Sequence, residues 1–102
     1  MSVLIDLSIF PVDQGRHLSA FVTPVVQLIA DSGHPYRLTA MGTLIETEQL
    51  SDATALIEQA HALLAEAGCE RVYATVKLDI RKGATGRLEQ KTASVEARME
   101  TR

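Results

Sequence analysis

Residues 71–80, RVYATVKLDI, decide the fold. Apolar and polar side chains alternate along them: Val72, Ala74, Val76, Leu78 and Ile80 against Tyr73, Thr75, Lys77 and Asp79. Successive side chains of an extended chain point to opposite faces, so this is a strand with one face on a core. A strand of that kind belongs to a sheet whose apolar face is covered by a second layer.

The segments on either side supply that layer. Upstream, Ala53, Ile57, Ala60 and Leu64 recur at helical spacing, with Leu56 and Leu63 widening the stripe. This predicts a helix over about 52–67, with Ser51 as its N-cap and Gly68 as its stop. Before it, YRLTAMGTLIETE (36–48) reads as two short strands, 36–41 and 43–48, joined at Met41-Gly42. Gly42 is either a tight turn or a bulge in one bent strand. Further upstream, Leu18, Val22, Val25 and Ile29, with Phe21 and Leu28, form a second helical stripe that ends at Asp31-Ser32-Gly33. Pro24 kinks this helix or restricts it to a start near Ser19. The first strand is VLIDLSIF, residues 3–10, bounded by Pro11. Downstream, the basic loop RKGATGR (81–87) leads to a last helix over about 88–100. Its apolar stripe is only Leu88, Val95 and Met99, which predicts a peripheral helix resting on a neighbouring subunit.

The order is β-α-β-β-α-β-α. Two βαβ halves side by side predict one ferredoxin-like βαββαβ domain over residues 1–102. Its class is α/β in the broad sense, an α+β sandwich. The expected parts are a four-stranded antiparallel sheet, two helices on one face, and an added C-terminal helix.

Composition narrows the function. The chain has 102 residues, enough for one core. Its 10 Lys and Arg against 13 Asp and Glu give a net charge of −3, the wrong balance for holding phosphate backbones. Cys69 is the single cysteine, so no intramolecular disulfide exists, and a free thiol fits the cytoplasm. The opening MSVLIDLSIF lacks a basic n-region and reads as a strand, and no apolar run is long enough for a membrane helix. Expected partners are therefore neither nucleic acid nor membrane.

The pleat assigns Val3, Ile5, Leu7 and Ile9, Tyr36, Leu38 and Ala40, Ile45, and Val72, Ala74, Val76 and Leu78 to the helix side. The other face receives Leu4, Asp6, Ser8 and Phe10, Arg37, Thr39 and Met41, Leu44 and Glu46, and Tyr73, Thr75, Lys77 and Asp79. This mixed surface is neither fully charged nor fully apolar. Phe10, Met41, Leu44 and Tyr73 point to cover by a partner. The polar groups among them need hydrogen-bond partners inside that cover. A small polar ligand between subunits supplies them, and so do cross-subunit hydrogen bonds without a ligand.

Single residues add little chemistry. His17, His34 and His61 have no metal-pair spacing, and Cys69 has no activating neighbour. No phosphate-loop, dinucleotide or nucleophile-elbow motif occurs, and the RKGATGR loop reads as solvated. Asp6, Glu46, Asp79 and Lys77 share a face, but no assembled nucleophile and base is visible.

The segments IDLSIFP, YRLTAMGTLIE, HALLAEAG and RVYATVKLDIR together resemble the small thiamine-binding protein family, with TAMGTLIE the most specific piece. That resemblance implies a ferredoxin-like fold, dimers through the sheets that assemble into tetramers, and non-catalytic binding of thiamine or its hydroxymethylpyrimidine moiety. It implies no cofactor and no metal. By match to the family's motifs, the ligand-binding residues are Ser8, Pro11, Thr39, Met41, Gly42, Thr43, Glu46 and Lys77. Asp6 stands where the family often has Glu, and Ala40 where it often has Pro. Glu46 or Asp6 meets the thiazolium cation or a pyrimidine nitrogen in this reading, with Met41 or Tyr73 over a ring face. Replacing Glu46 with Gln is expected to weaken binding and leave the fold intact. The competing readings are an oligomerisation module without ligand and a small enzyme using Asp6, Glu46 or Lys77.

Overall fold

A computed structural model describes residues 1–100. They run β1 (Ser2–Pro11), α1 (Ser19–Asp31), β2 (Tyr36–Thr39), β3 (Gly42–Thr47), α2 (Leu50–Glu66), β4 (Val72–Arg81) and α3 (Arg87–Glu100). The four strands form one antiparallel sheet in the order β2-β3-β1-β4. This is the expected ferredoxin-like arrangement.

Strand β1 organises the sheet because it alternates apolar residues over its ten positions and has neighbours on both sides. It pairs with β4 along all of its length and with β3 from Val3–Thr47 to Leu7–Thr43. Pro11 lies beyond the reach of β3, so its missing N–H breaks no rung on that side. Val3, Ile5, Leu7 and Ile9 of β1 and Ile45 of β3 face α1 and α2, which contribute Val25, Ile29, Ala53, Leu56, Ala60 and Leu64 to one buried cluster. Each of these side chains leaves water on folding, which is the main source of stability.

Helix ends follow local chemistry. Gly68 takes φ +89° after α2, and the N–H groups of Gly68 and Cys69 bond the carbonyls of Ala65 and Leu64. That double bond pattern is a Schellman stop, and it buries Cys69. Burial, together with the nearby Asp13 carboxylate, pushes the Cys69 thiol up from its ordinary value, as suits an inert packing residue. Asp13 instead accepts the N–H groups of Glu70 and Arg71 and ties the end of β1 to the start of β4.

Four expectations are corrected. The β2–β3 turn is Ala40-Met41, with Thr39 facing Gly42 across it, so Gly42 opens β3 and is neither the turn nor a bulge. Thr39 Oγ closes this turn by accepting the Met41 N–H and donating to the Gly42 carbonyl. Helix α2 starts at Leu50 with Gln49 as its N-cap, so Ser51 is inside the first turn and caps nothing. Tyr36, Leu38 and Leu78 lie on the helix side yet remain exposed, because β2 and β4 are the edges and the helices cover the centre. Finally, Leu88 of the α3 stripe rests on the second face of its own sheet, whereas Val95 and Met99 remain exposed.

Candidate functional site on the second sheet face

Helix α3 has no capping side chain of its own, since glycine precedes Arg87. Its N-terminal N–H groups must find acceptors elsewhere. Glu46, pointing from β3 to the second face, supplies them. Its Oε2 accepts the Arg87 N–H at 3.1 Å and the Ser2 hydroxyl at 2.6 Å, and its Oε1 accepts the Leu88 N–H at 3.1 Å. Glu46 is 7% exposed and Arg87 5%. Burial alone would push the Glu46 carboxyl up. The bonds from Ser2, Leu88 and Arg87 and the Arg87 guanidinium outweigh it and hold the carboxyl below its ordinary value.

The Arg87 side chain completes the junction. Its guanidinium donates to the Ser2 hydroxyl at 3.1 Å, the Ser2 carbonyl at 2.9 Å and the Asp79 carbonyl at 2.6 Å, and it pairs with the Asp79 carboxylate at 3.0 Å. Lys91 meets the same carboxylate at 2.8 Å, and Arg37 meets Glu89 at 2.9 Å. Lys91 and Arg87 hold Asp79 below the usual aspartate value.

The first two turns of α3 thus stand over the sheet and leave a groove of about 310 Å³ beneath them. Leu4, Leu44 and Leu88 make its apolar walls, and Asp6, Arg37, Lys77, Asp79, Arg87 and Lys91 are its charged groups. Asp6 and Lys77 are cross-strand partners in register. Among the described residues neither side chain makes a hydrogen bond or an ion pair, whereas Arg37 and Lys91 are paired. A free carboxylate and a free ammonium on an apolar floor suit a small molecule with separated polar ends.

A second recess of about 180 Å³ lies at the hairpin end between α1 and the sheet, lined by Val22, Val25, Val26 and Ile29 of α1 as well as by Ser8, Phe10, Thr39, Met41, Gly42 and Thr43. It is below the roughly 300 Å³ at which small-molecule pockets begin, so alone it holds no more than a single ring. Asp6 links the two places. A Cβ on Gly42 would stand 2.8 Å from Asp6 Oδ1 and 3.1 Å from the Leu7 carbonyl oxygen. Glycine here lets the carboxylate lie against the hairpin. Gly42→Ala is expected to displace Asp6 and to destabilise the protein by about 1–3 kcal/mol, read as a lowered midpoint in chemical unfolding.

The residues named from the sequence therefore separate. Ser8, Thr39, Met41, Gly42 and Thr43 gather at the hairpin end, with Thr43 buried on the helix side. Lys77 joins Asp6 in the groove. Pro11 is buried opposite Val72, at the far end of β1. Glu46 is enclosed in the α3 junction, with both oxygens engaged by the protein. Sequence reasoning missed Ser2, Arg87 and Lys91, and it placed Arg37 on this face without giving it a role. The one available signal was Gly86 ahead of an uncapped helix, which calls for an acceptor from another element.

A family model described as thiamine-binding protein matches residues 5–96. The chain belongs to the thiamine-binding protein family. Among relatives of this family member, a UPF0045 protein of Mycobacterium bovis is 36% identical over 96 residues, covering 94% of this chain and 93% of its own. A UPF0045 protein of Methanothermobacter thermautotrophicus is 32% identical over 95 residues, covering 92% and 96%. The crystal structure of a hypothetical protein from Methanocaldococcus jannaschii superposes with TM-score 0.80 at 25% identity, over 93% of this chain and 96% of that one. A Thermotoga maritima protein described as one of thiamine biosynthesis or salvage superposes with TM-score 0.79 at 16% identity, over 93% and 99%. At that identity it speaks for the fold alone. No helix among the described residues of this thiamine-binding family member is long and apolar enough to cross a membrane.

Proposed function

We propose that this protein binds thiamine or its hydroxymethylpyrimidine moiety, without turning it over, in the groove between α3 and the second sheet face. Family membership supports the ligand class. The observation that carries the location is the free Asp6 carboxylate, set between the groove and the hairpin end. An anion on a floor walled by Leu4, Leu44 and Leu88 attracts a flat organic cation, or accepts from an exocyclic amine, while the apolar walls take the ring. Ser8 and Thr39, nearby at the hairpin end, supply hydroxyls, and Met41 covers an open edge. The same inventory supports binding over catalysis in this reading: Glu46 is occupied by the α3 junction, and Asp6 and Lys77 stand without a nucleophile beside them among the described residues. The protein acts, in this reading, as a cytoplasmic homo-oligomer, with no metal or cofactor.

Thermal unfolding with excess thiamine and with hydroxymethylpyrimidine tests this. A ligand of the native state at a hundredfold over its dissociation constant stabilises by about 2.7 kcal/mol. Asp6→Asn is expected to weaken binding roughly tenfold or more by titration calorimetry while leaving the unliganded midpoint near its original place. No shift at millimolar ligand would sink the thiamine reading and favour an oligomerisation module. A shift that survives Asp6→Asn would move the site away from the groove floor.

A further inference from the structure

The groove beneath α3 carries positive charge in a chain whose net charge is −3. Arg37, Lys77, Arg87 and Lys91 line it, against the carboxylates of Asp6 and Asp79. Glu89, which holds Arg37, brings the carboxylates to three, and the four cations still exceed them. These cations are not equally free. Arg87 is buried and committed to Ser2 and Asp79. Arg37 is tied to Glu89. Lys91 meets Asp79 in an ion pair whose side chains are 61% and 50% exposed. An exposed pair of this kind contributes little, so Lys91 can turn to a stronger anion at small cost, and Asp79 keeps Arg87 when it does. Lys77 has no side-chain partner among the described residues. Lys77 and Asp79 are two residues apart on β4, so their side chains leave the strand on one face. The Lys91 ammonium held by Asp79 therefore lies at the β4 end of the groove, together with Lys77. Across from them, on the adjacent strand, stands the free Asp6 carboxylate, its Cα about 4.5–5.5 Å from that of Lys77.

We propose that the ligand of this groove is a phosphate monoester of hydroxymethylpyrimidine, its ring amine on Asp6 and its phosphate between Lys77 and Lys91. The inference rests on the groove being the binding site, and it decides between the two ligands considered above. Groups that meet Asp6 and Lys77 together have to be neighbours on the ligand. In hydroxymethylpyrimidine they are, because the exocyclic amine and the hydroxymethyl group occupy adjacent ring carbons. The amine donates to a carboxylate, and a phosphate on the hydroxymethyl oxygen accepts from ammonium groups. Such a phosphate carries about −1.5 to −2 charges at neutral pH, enough to engage both lysines. Lys77 is exposed on an edge strand, so the phosphate keeps part of its hydration there. The ring leaves water among Leu4, Leu44 and Leu88. In thiamine the same methylene carries the thiazolium nitrogen. The cation then falls on the Lys77 side and is repelled. The free alcohol offers Lys77 only a neutral hydroxyl.

Titration calorimetry of the full chain at low salt separates these ligands. The probes are hydroxymethylpyrimidine phosphate, hydroxymethylpyrimidine, thiamine and inorganic phosphate. The ester is expected to bind roughly tenfold tighter than the alcohol or thiamine, with inorganic phosphate weakest. Raising the salt to about 1 M, where the screening length is about 3 Å, is expected to shrink that advantage. Lys77→Gln is expected to remove most of it, to leave the affinity for the alcohol within about twofold, and to improve the binding of thiamine. Because Lys77 is exposed and unpaired, its replacement is expected to keep the fold, as the unliganded unfolding midpoint verifies. Lys91→Gln is expected to weaken the ester by less, since Lys77 remains. If the alcohol binds in a manner that depends on Asp6 and the ester binds no tighter, the proposal fails while the groove reading stands. An ester preference that survives Lys77→Gln refutes the placement of the phosphate. Inorganic phosphate as tight as the ester would reveal an anion site without ring recognition, which also overturns the proposal. Absence of binding by the ester, the alcohol and thiamine alike removes the groove reading and the proposal together.

Discussion

Replacing Glu46 with alanine is expected to destabilise the protein by about 3 kcal/mol and to release α3 from the sheet. The carboxylate is buried and serves two helix N–H groups and one hydroxyl, with the Arg87 guanidinium beside it. Its loss orphans those donors and removes an anion from a helix N-terminus, where one is favoured. For a domain of this size, 3 kcal/mol corresponds to a drop of about 12–24 °C in the unfolding midpoint. Glu46→Gln keeps the volume but loses the charge, and its amide turns two donors toward other donors. It too is expected to destabilise, by about 2 kcal/mol, and so does not leave the fold intact. Hydrogen exchange across residues 87–100 should show α3 opening first, since everything beyond its first turn is exposed. Uniform exchange, or an unchanged midpoint, would remove Glu46 from this role.

The same junction sets an acid limit. The Glu46 carboxyl is held below its ordinary value of 4.5 in the folded protein, so the unfolded chain takes up the proton first as pH falls. The stabilisation is fully present above about pH 4.5 and is lost as pH drops toward the lower folded value. Asp79, also lowered, acts in the same direction. Melting the wild type and Glu46→Gln between pH 7 and 3 should give curves that converge on acidification. Parallel curves would show that Glu46 is not the titrating group.

Ile45→Ala is expected to lower stability by about 4 kcal/mol, near the top of the range for aliphatic truncation in a core. Ile45 is fully buried on an inner strand, opposite Ile5 on one side and Tyr36 on the other. Its neighbours α1 and α2 are joined to the sheet through rigid strand pairing, so the space left by the side chain closes only in part. Chemical unfolding gives this number directly. A loss below about 1 kcal/mol would mean that the helices settle into the gap. Because Ile45 points away from Asp6 and Lys77, ligand affinity should change little at temperatures where the variant is folded.

The alternation in β1 and β4 and the stripes of α1 and α2 were read correctly, because periodicities of two and of three to four residues are local properties. The second-face positions of Asp6 and Lys77 followed from the pleat alone. The β2–β3 turn was misplaced by one residue because Met41-Gly42 looks like the turn, whereas the Thr39 hydroxyl closes it around Ala40-Met41. Glu46 was assigned to the correct face but to the wrong surroundings.

The amino-acid sequence by itself determined the order of elements, the antiparallel α+β class, the core face of each central strand and the membership of the mixed face. Those follow from which side chains must leave water together within a few residues of chain. Only the tertiary structure decided where α3 lies, and therefore what Glu46 does, which charges remain unpaired, and that a groove exists at all. The reason is separation along the chain: Ser2, Glu46, Asp79 and Arg87 meet across as many as 85 positions. A hydrogen bond between such groups has no period and no local spacing, and becomes visible only when the sheet brings its strands side by side.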